Sequence, residues 1–133
     1  MPAKILVVDD EAPIANVVAL KLRNAGLGVT VAYDGEEALG LALQDRPDFI
    51  ITDLQMPGMS GIELCALLAA EIPGGVPAFL LTGKGFEVDA RAVAHLPIRR
   101  IMTKPFSPKE LLTRVLEELA RIEAAENPPE GFA

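Results

Sequence analysis

Three aspartates and one lysine carry the chemistry for which this sequence is equipped. Asp9 and Asp10 follow a short apolar run, Ile5–Val8, and Asp53 follows another, Phe49–Thr52. Carboxylates brought to one small site repel each other unless a cation neutralises them. An all-oxygen set of this kind suits a hard divalent ion, Mg²⁺ first, with Mn²⁺ as an alternative. Acids at strand ends also serve as helix caps, so Asp9 or Asp10 alone would say little. Thr82, after Ala78–Leu81, adds a hydroxyl, and Lys104, after Ile98–Met102, adds a point positive charge. Both suit an anion held beside the carboxylates. With an ion at +2, Lys104 at +1 and three ionised aspartates at −3, the set is neutral. Such a site could receive a phosphoryl group, with Asp53 as nucleophile forming an acyl phosphate. Metal and lysine would spread charge over the equatorial oxygens during transfer.

Whether these groups meet depends on the elements that carry them. Five short β-rich runs recur along the chain: Ile5–Val8, Val29–Ala32, Phe49–Thr52, Ala78–Leu81 and Ile98–Met102. The first, third and fourth are continuously apolar, as expected of parallel strands covered on both faces. The stretches between them have helical periodicity and readable ends. The first helix has Pro13 in its opening turn, a face of Ile14, Val17, Val18 and Leu22, and Gly26 as a stop. Asp34 with Glu37, and Ser60 with Glu63, resemble capping boxes. Ser107, Pro108 and Glu110 open the last helix, whose buried stripe is Leu111, Val115, Leu119 and Ile122. A fourth helix falls within Glu87–Leu96 and is ended by Pro97. This alternation predicts an α/β, doubly wound, five-stranded parallel sheet with helices on both faces and right-handed crossovers. The flavodoxin-like order 2-1-3-4-5 places a crevice at the carboxyl ends of strands 1 and 3, where Asp9, Asp10 and Asp53 would face one another.

Composition narrows the function classes. The chain has 133 residues and a mass of 14.1 kDa, one domain's worth, with half its residues hydrophobic. Mean hydropathy is +0.32, yet the longest unbroken apolar run, Leu64–Ala70, has seven residues where a spanning helix needs about 20. Asp9, Asp10 and Glu11 interrupt the N-terminal apolar run, so a signal peptide is not expected. The lone Cys65 fits a reducing cytoplasm. Twelve basic against nineteen acidic side chains give −7, which disfavours direct nucleic-acid binding. The expectation is an acidic, soluble, cytoplasmic domain over residues 1–122, with no membrane or nucleic-acid partner. Residues 123–133 read as a flexible tail or a truncated linker.

Read together, Val7-Val8-Asp9-Asp10-Glu11, Asp53 to Gly61, Leu81-Thr82-Gly83 and Lys104-Pro105-Phe106 resemble the receiver domain of two-component response regulators, chemotaxis-regulator-like in size. The resemblance runs from Lys4 to about Ile122. It implies that Asp53 is the phosphoacceptor, that Asp9, Asp10, Asp53 and the backbone carbonyl of Gln55 hold Mg²⁺, and that Thr82 and Lys104 engage the phosphoryl group. It implies a cis peptide at Lys104–Pro105. The implied phosphodonor is a sensor histidine kinase or a histidine phosphotransfer protein, and the signal passes to a downstream protein or a missing output domain. The domain would catalyse only its own phosphorylation and slow autodephosphorylation. Thr82 and the residue three before the lysine form the family's switch region. That residue is usually Tyr or Phe, and here it is Ile101. Gly83 and Gly85 would leave the loop after strand 4 mobile, and Gln55 and Lys84 hold the positions that tune acyl-phosphate lifetime in relatives.

Other readings compete. A phosphorylation-independent pseudo-receiver, acting as an interaction module, is favoured only by Ile101. A phosphatase with an aspartate nucleophile wants Asp-x-Asp-x-Thr after strand 1, where this chain has Asp9-Asp10-Glu11-Ala12-Pro13. A nucleotide-binding flavodoxin relative would need a glycine-rich phosphate loop there. His95 and Cys65 read as surface or packing residues, and Arg99 and Arg100 as a solvated pair.

Overall fold

A computed structural model describes residues 2–83 and 88–126. Five strands alternate with five helices: β1 (Lys4–Val8), α1 (Ala12–Asn24), β2 (Gly28–Ala32), α2 (Gly35–Gln44), β3 (Phe49–Asp53), α3 (Gly61–Glu71), β4 (Ala78–Thr82), α4 (Ala90–Val93), β5 (Ile98–Thr103) and α5 (Pro108–Glu126). All strand pairs are parallel and the order is β2-β1-β3-β4-β5, the flavodoxin-like arrangement expected from the alternation. Every residue of β3 and β4 is buried, which explains the apolar runs Phe49–Ile51 and Ala78–Leu81 that lead to their polar ends. Side chains alternate between two cores. Leu6, Val8, Ile50 and Leu80 meet Ala38, Ala42, Leu64 and Leu68 of α2 and α3. On the other side Ile5, Val7, Ile51 and Phe79 meet Val18 and Leu22 of α1 and Leu111 and Val115 of α5. Phe49 and Phe79 stack edge to face there, 4.8 Å between centroids.

Local chemistry fixes the helix ends. Ser60 and Glu63 make a full capping box on α3. At α2 the box is half made: Asp34 accepts from the Glu37 amide, but the Glu37 carboxylate turns back to the Tyr33 amide. Gly26, at φ +91°, ends α1 while the Leu27 amide reaches back to the Leu22 carbonyl.

Four expectations need correction. Val17 is not core: Ala15, Val18, Ala19 and Leu22 form the buried stripe of α1, and Val17 is 53% exposed. Helix α4 has four residues, far shorter than the Glu87–Leu96 window, whose first residue lies outside those described. Helix α5 continues to Glu126, past the boundary expected at Ile122, and residues 127–133 lie outside the described range. The stripe of α5 also includes Glu118, only 6% exposed, with Arg121 at 3.1 Å and Arg99 of β5 at 3.9 Å. Arg99 and Arg100 are both exposed, as expected of a solvated pair, and Arg99 in addition reaches this buried acid. Its reach comes from a bulge: Ala78 pairs with Ile98 while Phe79 pairs with Arg100, which leaves Arg99 as the extra residue.

Candidate functional site

Because all five strands are parallel, their carboxyl ends share one edge of the sheet. Asp53 is the last residue of β3 and Thr82 the last of β4, Asp9 and Asp10 follow β1, and Lys104 follows β5. The order sets β1 beside β3 at the centre of the sheet, so the three aspartates meet above one crevice. Each turns one carboxylate oxygen inward, and these atoms all lie within 4.8 Å of one another. Asp9 and Asp53 are buried and Asp10 is exposed. Lys104 crosses from β5 to reach them. Its Nζ donates to Asp9 Oδ2 at 3.0 Å and lies 3.4 Å from Asp53 Oδ1.

The backbone around the end of β3 is tightly specified. The Leu54 amide donates to the Leu81 carbonyl at 2.8 Å, and the Lys104 amide to the Thr82 carbonyl at 2.7 Å, which ties the three carboxyl ends together. The first residue of α3 passes so close to β3 that only glycine fits. A Cβ on Gly61 would lie 2.5 Å from the Asp53 carbonyl oxygen and 3.2 Å from Leu54 Cα. In return the Gly61 amide donates to the Leu54 carbonyl at 2.9 Å. Asp9 has a double task, since its Oδ1 also accepts the Glu11 amide at the start of α1, 2.9 Å away. A turn-forming role just before α1 and the charge-cluster role therefore coexist in one side chain.

Electrostatics show what the cluster lacks. Burial pushes the Asp53 carboxyl up to about 6, with Asp9 and Asp10 adding to the shift and Lys104 opposing it. Burial pulls the Lys104 ammonium down, but its hydrogen bond to Asp9 and its attraction to Asp53 more than offset this and leave its pKa raised. Among the described residues, the Lys104 ammonium alone faces the three aspartates, which leaves this described set short of positive charge. Three converging oxygens on a half-open edge are compatible with a hard divalent cation.

Other expected residues fall into place unevenly. Lys104–Pro105 is cis. Thr82 is buried beside Asp53, but its hydroxyl donates to the Gly83 carbonyl at 3.4 Å and not to another site residue. The Gln55 side chain extends toward β4, with Oε1 3.2 Å from where a Gly83 Cβ would stand. Ile101 pairs with Leu80 and is 40% exposed. Lys84 and Gly85 lie outside the described residues. Cys65 is buried, its thiol pushed up to about 12 by burial, in keeping with a packing role. Two contributors had no clear signal in the sequence. Glu11 adds a fourth carboxylate 3.7 Å from Lys104 Nζ. Gly61 could be read only as part of a motif, because the close approach it permits depends on tertiary structure.

An α/β sheet of this order, with an acidic cluster and a lysine on its carboxyl edge, defines a class of receiver-like domains. The chain's relatives narrow the class. The response regulator receiver domain model matches residues 5–116. The receiver domain of the Francisella response regulator 1452 is 33% identical, over 90% of this chain and 98% of that one, with a TM-score of 0.80. Vibrio cholerae chemotaxis protein CheY4 is 32% identical, over 88% and 98%, with a TM-score of 0.78. A CheY-like receiver domain protein from Methanospirillum hungatei shares the fold at a TM-score of 0.86 and 24% identity, over 94% and 99%. The chain belongs to the response regulator receiver domain family.

Proposed function

We propose that this domain accepts a phosphoryl group on Asp53 from a phosphohistidine, in a Mg²⁺-dependent reaction, and signals by a change of conformation. The observation that carries the reading is the convergence of Asp9, Asp10 and Asp53 within 4.8 Å, with the Lys104 ammonium 3.4 Å from Asp53. A bound divalent ion would be held by the three aspartates and the Gln55 carbonyl, and would supply positive charge for the phosphoryl oxygens. An Asp53 carboxylate oxygen attacks phosphorus, the P–N bond of the donor breaks, and its electron pair leaves with the imidazole. Lys104, already paired with Asp53, then balances charge on the acyl phosphate. Thr82, at the end of the adjacent strand, gives up its local bond to Gly83 and donates to a phosphoryl oxygen. The domain catalyses no reaction on other molecules, only its own phosphorylation and slow autodephosphorylation, and it works in the cytoplasm. No helix among the described residues is long and apolar enough to cross a membrane.

The donor is a sensor histidine kinase or a histidine phosphotransfer protein, and its docking place is beside the site. Pro13, Ile14, Val17, Phe106 and Pro108 line a largely apolar groove of about 550 Å³ that ends at Glu11 and Lys104. Val17, on the outer side of α1, has no core to pack against and is the natural anchor for a donor helix. The recipient of the signal is a downstream protein or an output domain outside this chain. The test is chemical. Label from a radioactive phosphodonor should map to the Asp53 peptide and be released by hydroxylamine, as an acyl phosphate is. Label that resists hydroxylamine, or that survives Asp53→Asn, would contradict the assignment.

A further inference from the structure

The segment from Asp34 to Ile72 holds eight acidic side chains and one basic one, Arg46, so its charge of −7 equals that of the whole chain. Helices α2 and α3 contain no Lys, Arg or His at all. Some of their acids have structural work, since Glu37 accepts the Tyr33 amide and Glu63 completes the cap of α3. Glu36 and Glu71 have no hydrogen-bond or ion-pair partner among the described residues. Glu71 also sits in the last turn of α3, where the helix dipole disfavours a carboxylate. Local stability does not explain it.

The same two helices carry exposed leucines, and their packing shows where these lie. Leu41 lines a small cavity with Thr30 of β2, on the outer flank of α2. Ala69 of α3 packs by Gly75 and Pro97, on the flank toward β5. Helices α2 and α3 are neighbours on one face of the sheet, so their remaining flanks face each other. Helical periodicity puts Leu39 and Leu43 on that flank of α2 and Leu67 on that flank of α3. Leu43 is 48% exposed and Leu67 41%. Glu36, seven residues before Leu43, and Glu71, four after Leu67, share the two flanks.

We propose that the α2–α3 face docks a basic amphipathic helix of a partner protein. Its apolar side chains would enter the leucine seam, and Lys or Arg residues would meet Glu36 and Glu71 at the two ends. Charge complementarity selects this occupant: with no cation on either helix, an acidic helix or an anionic membrane surface is repelled. The face is remote from the groove beside Lys104, so both can be occupied together.

The test uses a fluorescent leucine–lysine peptide of about four helical turns, with leucine on one face, titrated into the full chain. Saturable binding is expected, with amide shifts confined to α2 and α3. Leu43→Ser with Leu67→Ser should weaken it at least about tenfold, and so should Glu36→Gln with Glu71→Gln. A scrambled peptide of the same composition should also bind at least tenfold more weakly. The substituted positions are exposed, and unchanged circular dichroism together with unchanged Asp53 labelling would show that the fold and the phosphoacceptor site are intact. Absent binding, equal binding by the scrambled peptide or by either double variant, or shifts outside α2 and α3 would overturn the proposal. So would a reversible dimer of the chain alone that the leucine substitutions abolish, since the occupant would then be a second copy.

Discussion

Asp53 is held in an unfavourable state by its surroundings, and this has a measurable consequence. Its carboxyl is pushed up to about 6 from an ordinary 3.8, by burial first and by Asp9 and Asp10 after it. The folded chain therefore holds this proton more tightly than the unfolded chain does. Stability from this group is present below about pH 4 and is lost as pH rises through about 6. Without divalent metal, Asp53→Asn should stabilise the protein at pH 7 by about 1–3 kcal/mol, with the gain vanishing near pH 4. Urea unfolding at the two pH values checks this. An equal effect at both would show that charge is not the cause. Lys104→Ala should raise the Asp53 pKa further by removing the cation that opposes the shift, as followed by carboxyl NMR titration. The three aspartates, Thr82 and Lys104 were legible in the sequence because each follows an apolar run in a parallel topology. Glu11 was not, since nothing in its spacing shows that Lys104 leans far enough to meet it.

At the scale of elements, the junction of β3 and α3 is the most tightly constrained part of the fold. Gly61→Ala would drive a Cβ into the Asp53 carbonyl, so a loss of about 2–4 kcal/mol is expected together with poorer phosphorylation. Gly40, also helical, has open space around its missing Cβ. There alanine should stabilise by up to about 1 kcal/mol and leave the site untouched. Denaturant midpoints for the pair separate backbone crowding from helix propensity. The sequence showed the strands almost to the residue, because continuous apolar runs bounded by turns leave little choice. It misjudged helix faces where amphipathicity was weak. On α1, Ala15 and Ala19 share one face with Val18 and Leu22 at helical spacing, and the larger Val17 lies off it. On α5, Glu118 falls on the stripe between Val115 and Ile122. Only the bulge that frees Arg99, together with Arg121, makes its burial tolerable.

For the molecule as a whole, three faces divide the work. The carboxyl edge gathers the reactive groups, the groove along α1 and the β5–α5 junction opens onto them, and the acidic α2–α3 face lies apart. This division predicts separable variants. Val17→Glu should slow transfer from a phosphohistidine donor at least about tenfold, through a buried charge at the docking surface, while leaving labelling by a small phosphodonor unchanged. Equal slowing with both donors would place Val17 in the chemistry and not in docking. The edge strand β5 leaves Ile101 and Arg100 exposed at the limit of the sheet.

The proposed function rests on acceptance of the phosphoryl group by Asp53 with a divalent ion beside it. Intact mass after incubation with acetyl phosphate, or with beryllofluoride as its unreactive mimic, tests it most directly. One phosphoryl-mass adduct, or one beryllofluoride adduct, is expected, requiring Mg²⁺ and absent from Asp53→Asn. An adduct that forms without Mg²⁺ or on the Asp53→Asn chain, or a folded wild-type protein that binds Mg²⁺ and takes up neither reagent, would contradict it.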